Sequence, residues 1–186
     1  MPQPLTPSDR GEFYGAVNEW IQKTCDDERS QAFKSTLPSN IAARLEDADP
    51  AEWFPVEDSK VLYEKILAYF GEESLEVFIE FYVSRAIHGF IKGLVAFISP
   101  LGLAKRALSL WRRFHSTGRP EIEIKDKNHG SITLYDWDYS SIHCKVHALW
   151  FAELIRVAGG KDIKVTETHC VHRGDSHCRW EIKFAP

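Results

Sequence analysis

The chain has 186 residues, of which 44% are hydrophobic and 27% charged, and its formal net charge is −4. This length suffices for one domain with a proper core, or for one domain with a helical extension. The slightly acidic balance argues against nucleic-acid binding, which usually requires a basic face. Arg106, Arg112 and Arg113 share one predicted helix with apolar residues, and we interpret them as a solvated face.

Two apolar patterns direct chains to membranes, a signal peptide and a membrane-spanning helix, and the sequence matches neither. The N-terminus is polar and lacks the apolar core of a signal peptide. The longest apolar run, residues 89–104, is interrupted by Lys92 and Pro100 and is shorter than the roughly 20 residues of a membrane span. We therefore expect a cytoplasmic protein, in which clustered cysteines indicate a metal site more than disulfides.

The first 118 residues have the periodicity and capping signals of helices, and Ser8-Asp9 is predicted to cap the first of them. The predicted helices cover about residues 10–24, 26–34, 40–45, 59–70, 73–94 and 99–115. The helix over residues 73–94 has only a narrow polar row, which predicts that it is packed on most sides.

After Gly118 the pattern changes to strands. Strands are predicted over residues 121–124, 132–135, 162–170 and 178–184, with one helix over residues 142–158. The order β-β-α-β-β predicts an α+β fold in which a helical N-terminal layer packs on an antiparallel four-stranded sheet. We expect a helical N-terminal extension over residues 1–72 and an α+β domain over residues 73–186, together forming one compact unit.

The last strand places Cys178 on its core side with Trp180 and Ile182. In a hairpin centred on Gly174, Cys170 lies opposite Cys178, with Cβ atoms about 5 Å apart. That separation suits two thiolates on one metal ion, while a disulfide requires a somewhat closer approach. A metal site is favoured, and the disulfide stays open as the alternative.

The strand before this hairpin requires a β-bulge. Strict alternation places Glu167 and Cys170 on opposite faces of the sheet. One extra residue near Thr168-His169 pairs Val165 with Ile182 and Glu167 with Trp180, so that apolar residues oppose apolar residues. The bulged register therefore predicts that Glu167, Cys170 and Cys178 share one core-side surface.

A third cysteine reaches the same place. The helix from Cys144 to Ala158 travels about 21 Å, and the strand from Asp162 to Cys170 returns about 26 Å. Three thiolates and the Glu167 carboxylate form a four-ligand set that fits a structural, tetrahedral zinc ion. Two alternatives remain: His147 replaces one ligand, or the cysteines are only small core residues.

The spacing of these residues resembles the 4-vinyl reductase domain. The match consists of Cys144, then Glu167-Thr168-His169-Cys170, then a Gly-Asp turn before Cys178. That domain is similar in fold to haem-NO-binding domains and to small subunits of the TRAPP vesicle-tethering complex. The resemblance covers residues 73–184 and implies a structural zinc ion beside an aromatic-ligand pocket, in a sensor that signals through a partner.

From this we expect a zinc-stabilised module that binds a small apolar or aromatic ligand, associates as a homodimer and acts on a partner protein. The residues expected to contact the ligand are Tyr82, Arg85, His88, Phe97 and Trp111. A dimeric adaptor without a ligand is the alternative, and a haem protein with His88 as the iron ligand is another. An enzyme has little support, because the sequence shows no nucleophile–base–orienter set.

Overall fold

The structure is a computed structural model that describes residues 6–86 and 99–186. The chain divides into two compact units, Met1–Tyr82 and Val83–Pro186. The described residues form eight α-helices and an antiparallel four-stranded sheet, which confirms the α+β class. The division predicted at residue 72 stays a prediction. No helix within the two described ranges has both the length and the apolar character needed to cross a bilayer.

The N-terminal unit consists of helices and one small two-stranded sheet. Its elements are β1 (Ser8–Arg10), α1 (Glu12–Thr24), α2 (Asp27–Ser35), α3 (Ser39–Asp47), β2 (Trp53–Pro55), α4 (Val56–Phe70) and most of α5 (Glu72–Ala86), whose residues from Val83 onward belong to the second unit. The predicted continuation of α5 to residue 94 falls outside the described residues.

The start of α1 differs from the predicted cap. Ser8 and Asp9 belong to β1, which pairs with β2, and the Asp9 carboxylate accepts a hydrogen bond from the Ser59 hydroxyl at 2.7 Å. The helix begins after Gly11, whose N–H donates to the Glu52 carbonyl. A Cβ on Gly11 would lie 2.2 Å from the Asp49 carbonyl oxygen, so this close approach of two backbones requires glycine.

Aromatic rings form the core of the N-terminal unit. The Phe13 ring centroid lies 4.9 Å from that of Tyr63 and 5.2 Å from that of Tyr82, and Trp20 lies 5.3 Å from Phe78. All five side chains are buried. Buried aromatic pairs at these separations contribute about 0.5–1.5 kcal/mol each beyond their area, so this core stabilises α1, α4 and α5 as one group.

The C-terminal unit carries the four-stranded sheet, in the order β3-β4-β6-β5. Its elements are α6 (Pro100–Ala104), α7 (Ala107–Phe114), β3 (Arg119–Asp126), β4 (His129–Tyr135), α8 (Ser141–Val157), β5 (Lys161–His169) and β6 (Cys178–Ala185). The helix predicted over residues 99–115 is two helices. The break lies at Lys105 and Arg106, where the Arg106 N–H donates to Leu103 three residues earlier and the turn tightens.

The predicted register between β5 and β6 is confirmed. Val165 pairs with Ile182 and Glu167 with Trp180, and the register shifts between Glu167 and His169. The core side of β6 therefore continues into β4, where Leu134 pairs with Cys178. Trp180 is fully buried, and its ring lies 5.3 Å from that of Phe151 on α8.

The opposite face of the sheet is charged. Glu181 on β6 accepts hydrogen bonds from Lys125 on β3 at 2.8 Å and from Arg179, and it lies 2.9 Å from the His129 ring on β4. Hydrogen bonds from these three neighbours, Lys125 first, lower the pKa of Glu181 to about 2. The network therefore ties the three strands β3, β4 and β6 together from outside.

We expect Glu181→Gln to destabilise the protein by about 1 kcal/mol at pH 7, an amount reduced by solvent screening. Because the pKa in the folded chain lies below its unfolded value, this stabilisation exists above about pH 5 and is lost as the pH falls towards 2. Chemical denaturation of both proteins across that range measures the difference. Glu64→Gln on α4 is the matched control, and a constant difference at every pH would contradict the prediction.

Candidate metal centre

The first ligand candidate comes from the start of α8. Ser140 caps this helix, because its hydroxyl accepts a hydrogen bond from the Ile142 N–H at 3.2 Å. Cys144 lies one turn later, on the side of the helix that faces the sheet, and is buried. The cap therefore fixes the point at which the helix delivers this thiol to the end of β5 and the start of β6.

The other two thiols come from the hairpin between β5 and β6. Cys170 follows β5, a 3₁₀ turn covers Val171–Arg173, and Gly174 has a φ of +93°. The Asp175 carboxylate accepts a hydrogen bond from the Cys170 N–H at 2.8 Å, and the Val171 N–H donates to the Cys178 sulfur at 3.5 Å. These bonds close the hairpin into a compact knuckle that directs both cysteines inward.

The sulfur atoms have the spacing of ligands around one ion. The Cys144 Sγ lies 3.8 Å from the Cys170 Sγ and 3.7 Å from the Cys178 Sγ. Two sulfur atoms in a tetrahedron with metal–sulfur bonds of about 2.3 Å lie about 3.8 Å apart. A disulfide bond is much shorter, at about 2.05 Å, and all three cysteines are free.

Glu167 completes the group. Its Oε2 accepts a hydrogen bond from Arg173 at 2.7 Å, while its Oε1 is buried and has no hydrogen-bond partner among the described residues. The structure brings together the four residues predicted from the sequence to bind a metal ion: Cys144, Glu167, Cys170 and Cys178. Each residue offers one ligand atom, and these four atoms all lie within 4.8 Å of one another. A buried carboxylate oxygen without a partner is costly, and a cation beside it removes that cost.

The three thiols of the cluster have different pKa values. The hydrogen bond between the Cys144 and Cys178 sulfur atoms, together with burial, raises the pKa of the Cys144 thiol. The same hydrogen bond lowers the pKa of Cys178 to about 6, and burial raises the pKa of Cys170. Binding of a metal ion to these sulfur atoms releases thiol protons, so metal affinity at this cluster rises with pH.

His147 does not join these ligand atoms. It is buried, and its ring lies 5.0 Å from Trp111, 5.7 Å from Trp137 and 6.1 Å from Trp180. Burial lowers the pKa of His147 well below its ordinary value. This aromatic cluster beneath the sheet was not predicted; only the spacing of His143 and His147 on one helix face hinted at it.

The residues predicted to contact a small ligand are spread over the chain. Tyr82 packs in the core of the N-terminal unit, with its ring 6.3 Å from Phe78, and Arg85 is exposed on α5. Trp111 packs in the C-terminal unit, where its indole N–H donates to the Thr117 carbonyl at 2.7 Å. His88 and Phe97 lie outside the described residues.

Comparisons with known proteins identify the fold. No protein-family model matches the sequence, and no curated protein matches it. Among solved structures, an H-NOX protein from S. oneidensis in the Fe(II)NO ligation state has a TM-score of 0.70 at 12% identity, over 95% of this chain and 99% of that one. Fe(II) unliganded H-NOX from K. algicida has a TM-score of 0.72 at 8% identity, over 95% and 97%.

A further neighbour, from work described as modulating haem redox potential through porphyrin distortion, has a TM-score of 0.66 at 10% identity, over 94% of this chain and 99% of that one. The chain therefore has the H-NOX fold. The prediction of zinc as the cofactor is wrong, because the neighbours are described by Fe(II) ligation and haem. The neighbour described by haem redox potential carries a porphyrin, whereas the zinc prediction rested on a tetrahedral set of side chains.

Neither the described residue His147 nor the cysteine cluster of the C-terminal unit fits haem. An axial histidine must direct one ring nitrogen into a flat, open slot. The His147 ring is enclosed by aromatic rings within about 6 Å on several sides, including Phe151 at 6.2 Å and His115 at 5.5 Å. The cysteine cluster is closed by four side chains and accommodates a small ion, not a macrocycle.

We expect Gly174→Ala to destabilise the protein by about 1 kcal/mol, because an L side chain is strained at a φ of +93°. Urea unfolding in reductant and chelator measures this cost without any contribution from a metal ion. Ser176→Ala, at an exposed position in the same hairpin, is the control. Equal stability of the two variants would contradict the strained geometry of the knuckle.

Proposed function

We propose that this chain is a sensor module of the H-NOX fold whose C-terminal unit is built around a metal–thiolate centre. The ligands are Cys144, Glu167, Cys170 and Cys178. The observation that carries the proposal is the sulfur spacing of 3.7–3.8 Å beside a buried carboxylate oxygen that finds no hydrogen-bond partner in the described part of the chain. A thiophilic divalent metal ion is the chemical class that this donor set selects.

The alternative, that the cysteines are plain core residues, explains the burial but not the carboxylate. Small apolar side chains fill a core without bringing a charged group among them. Here Glu167 lies on the core side of β5, directly beside Trp180, and turns Oε1 inward. An ion at the centre of the cluster satisfies that oxygen and neutralises the thiolates.

The role of the centre is structural. The protein supplies four ligand atoms, and a closed four-ligand set leaves no position for a reacting substrate. The ion joins the first turn of α8 to both sides of the β5–β6 hairpin. It therefore holds the helix and the hairpin in one arrangement, in a reducing compartment such as the cytoplasm, where the thiols stay free.

The sensing role rests on the fold. The H-NOX neighbours are described in NO-ligated, CO-ligated and unliganded states. The resemblance of the cysteine and glutamate spacing to the 4-vinyl reductase domain supports a small aromatic molecule as the ligand. The residues proposed to contact it are Tyr82, Arg85, His88, Phe97 and Trp111. The chain acts on a partner protein through a change in its own conformational equilibrium. A dimeric adaptor without a ligand is the second candidate.

Metal analysis tests the centre directly. We expect the protein purified without chelator to contain about one transition-metal ion per chain, and Cys170→Ser to contain much less. Cys25→Ser, which changes the one cysteine outside the cluster, is the control and should retain the ion. Cobalt(II) titration adds a spectroscopic readout, because thiolate ligands produce an intense charge-transfer absorption. A metal-free wild-type protein that also fails to bind cobalt would contradict the centre.

Phenol serves as the probe for the ligand site. We expect phenol to raise the unfolding temperature of the wild-type protein in proportion to the logarithm of its concentration, and Arg85→Gln to weaken that dependence. Lys127→Gln, an exposed lysine in the turn between β3 and β4, is the control. No shift at saturating phenol would contradict an aromatic-ligand sensor and favour the adaptor. This result leaves the metal analysis unaffected, so the two parts fail separately.

A further inference from the structure

The β5–β6 hairpin carries a histidine directly before each of its two cysteines. His169 precedes Cys170, and His177 precedes Cys178 in the same way. Adjacent residues of an extended chain point to opposite faces of a sheet. The two cysteines are buried, whereas His169 is exposed and His177 half-buried. The hairpin therefore directs two thiols inward and two imidazoles outward, and neither imidazole belongs to the metal–thiolate centre.

The two imidazole rings are stacked on each other. Their centroids lie 5.2 Å apart, and their planes are inclined by 24°. On its other side the His177 ring lies 5.3 Å from the ring of Tyr135 on β4. The guanidinium carbon of Arg119 on β3 lies over that tyrosine, 4.6 Å from its centroid. A row of four planar groups therefore crosses the sheet from β3 to β5 and holds the two imidazoles next to each other.

The hydrogen bonds of the His169 ring determine which of its nitrogens carries the proton. The Thr168 hydroxyl donates its one hydrogen to the Arg179 carbonyl at 3.2 Å, so its oxygen accepts from the Nδ1 of His169, 3.1 Å away. In the neutral imidazole the lone pair then lies on Nε2. The Ser176 hydroxyl makes the corresponding contact with the Nδ1 of His177 at 3.0 Å. Within the described part of the chain, each ring is thus held at Nδ1 and has no hydrogen-bond partner at Nε2.

We propose that His169 and His177 bind a divalent transition-metal ion through their Nε2 atoms, at a second site on the outer face of the sheet. Neutral imidazole suits ions such as nickel(II) and copper(II), and a hydrogen bond at the other ring nitrogen is usual in histidines that ligate metals. Two nitrogen atoms on one ion lie about 3.3 Å apart when the bonds are about 2.0–2.1 Å long. The stacked rings reach that separation by rotation about their side-chain bonds.

This outer site differs from the thiol centre in its exchange with solvent. The protein supplies two ligands and water completes the coordination, so the ion enters and leaves readily, whereas four side chains enclose the inner centre. An ion on the outer pair joins the end of β5 to the start of β6. Because it binds only the folded hairpin, it stabilises the protein in proportion to the logarithm of the free metal concentration. The two sites share no residue, so the outer site does not depend on the thiol centre.

Nickel(II) is the probe for the outer site, and calorimetric titration of the dialysed protein measures its binding. We expect His169→Gln and His177→Gln each to weaken this binding at least about tenfold, because one imidazole alone lacks the gain of a second linked ligand. His172→Gln changes the third histidine of the same hairpin and should bind nickel as the wild type does. All three variants should retain any ion of the thiol centre in metal analysis, so the two sites are measured separately.

A variant that changes no ligand tests the positioning of the ring. Thr168→Val removes the hydroxyl that orients His169 and should weaken nickel binding about tenfold. Thr166→Val, at an exposed position of the same strand, should not. In NMR spectra, paramagnetic nickel(II) should broaden the imidazole signals of His169 and His177 before those of His172.

Four results would overturn the outer site. They are a wild-type protein that binds no nickel, unchanged binding in either ligand variant, an equal loss in His172→Gln, and identical binding by the two threonine variants. Preferential broadening of other histidine signals would overturn it as well.

Discussion

The pairing of Glu167 with Trp180 across β5 and β6 is the constraint on which the C-terminal unit depends. It places the bulge immediately before His169, and the bulge brings Cys170 onto the same side of the sheet as Glu167. A register shifted by one residue would turn every side chain of β5 to the other face. The hydrophobic core and the thiol cluster are therefore specified by the same pairing.

Much of this arrangement could be predicted because the pattern is local. Val165 and Ile182 are apolar, and only one register places them together, so the bulge follows from matching faces. The position of Cys144 follows from the fixed rise of helices and strands. The fold class follows equally from the order of helical and alternating segments, since such periodicities depend on neighbouring residues alone.

Other features depend on contacts distant in sequence. Ser8 and Asp9 have the residue types of a helix cap, but pairing with the strand at Phe54 takes their place. The break at Lys105 interrupts a continuous helical pattern that contains no proline or glycine at that point. The prediction of zinc as the cofactor was wrong for a related reason: it was inferred from one local ligand set, and that set carries no information about the haem for which a structural neighbour is described.

The bulge has a further consequence for the outer edge of the sheet. In the described part of the chain β5 pairs only with β6, so its other side offers backbone groups to any extended chain. Two register irregularities within nine residues, between Lys161 and Lys164 and after Glu167, interrupt that row. An incoming strand cannot follow it, and the lysines add repulsion between copies. The kink that assembles the thiol cluster thus also protects the protein against edge-to-edge aggregation.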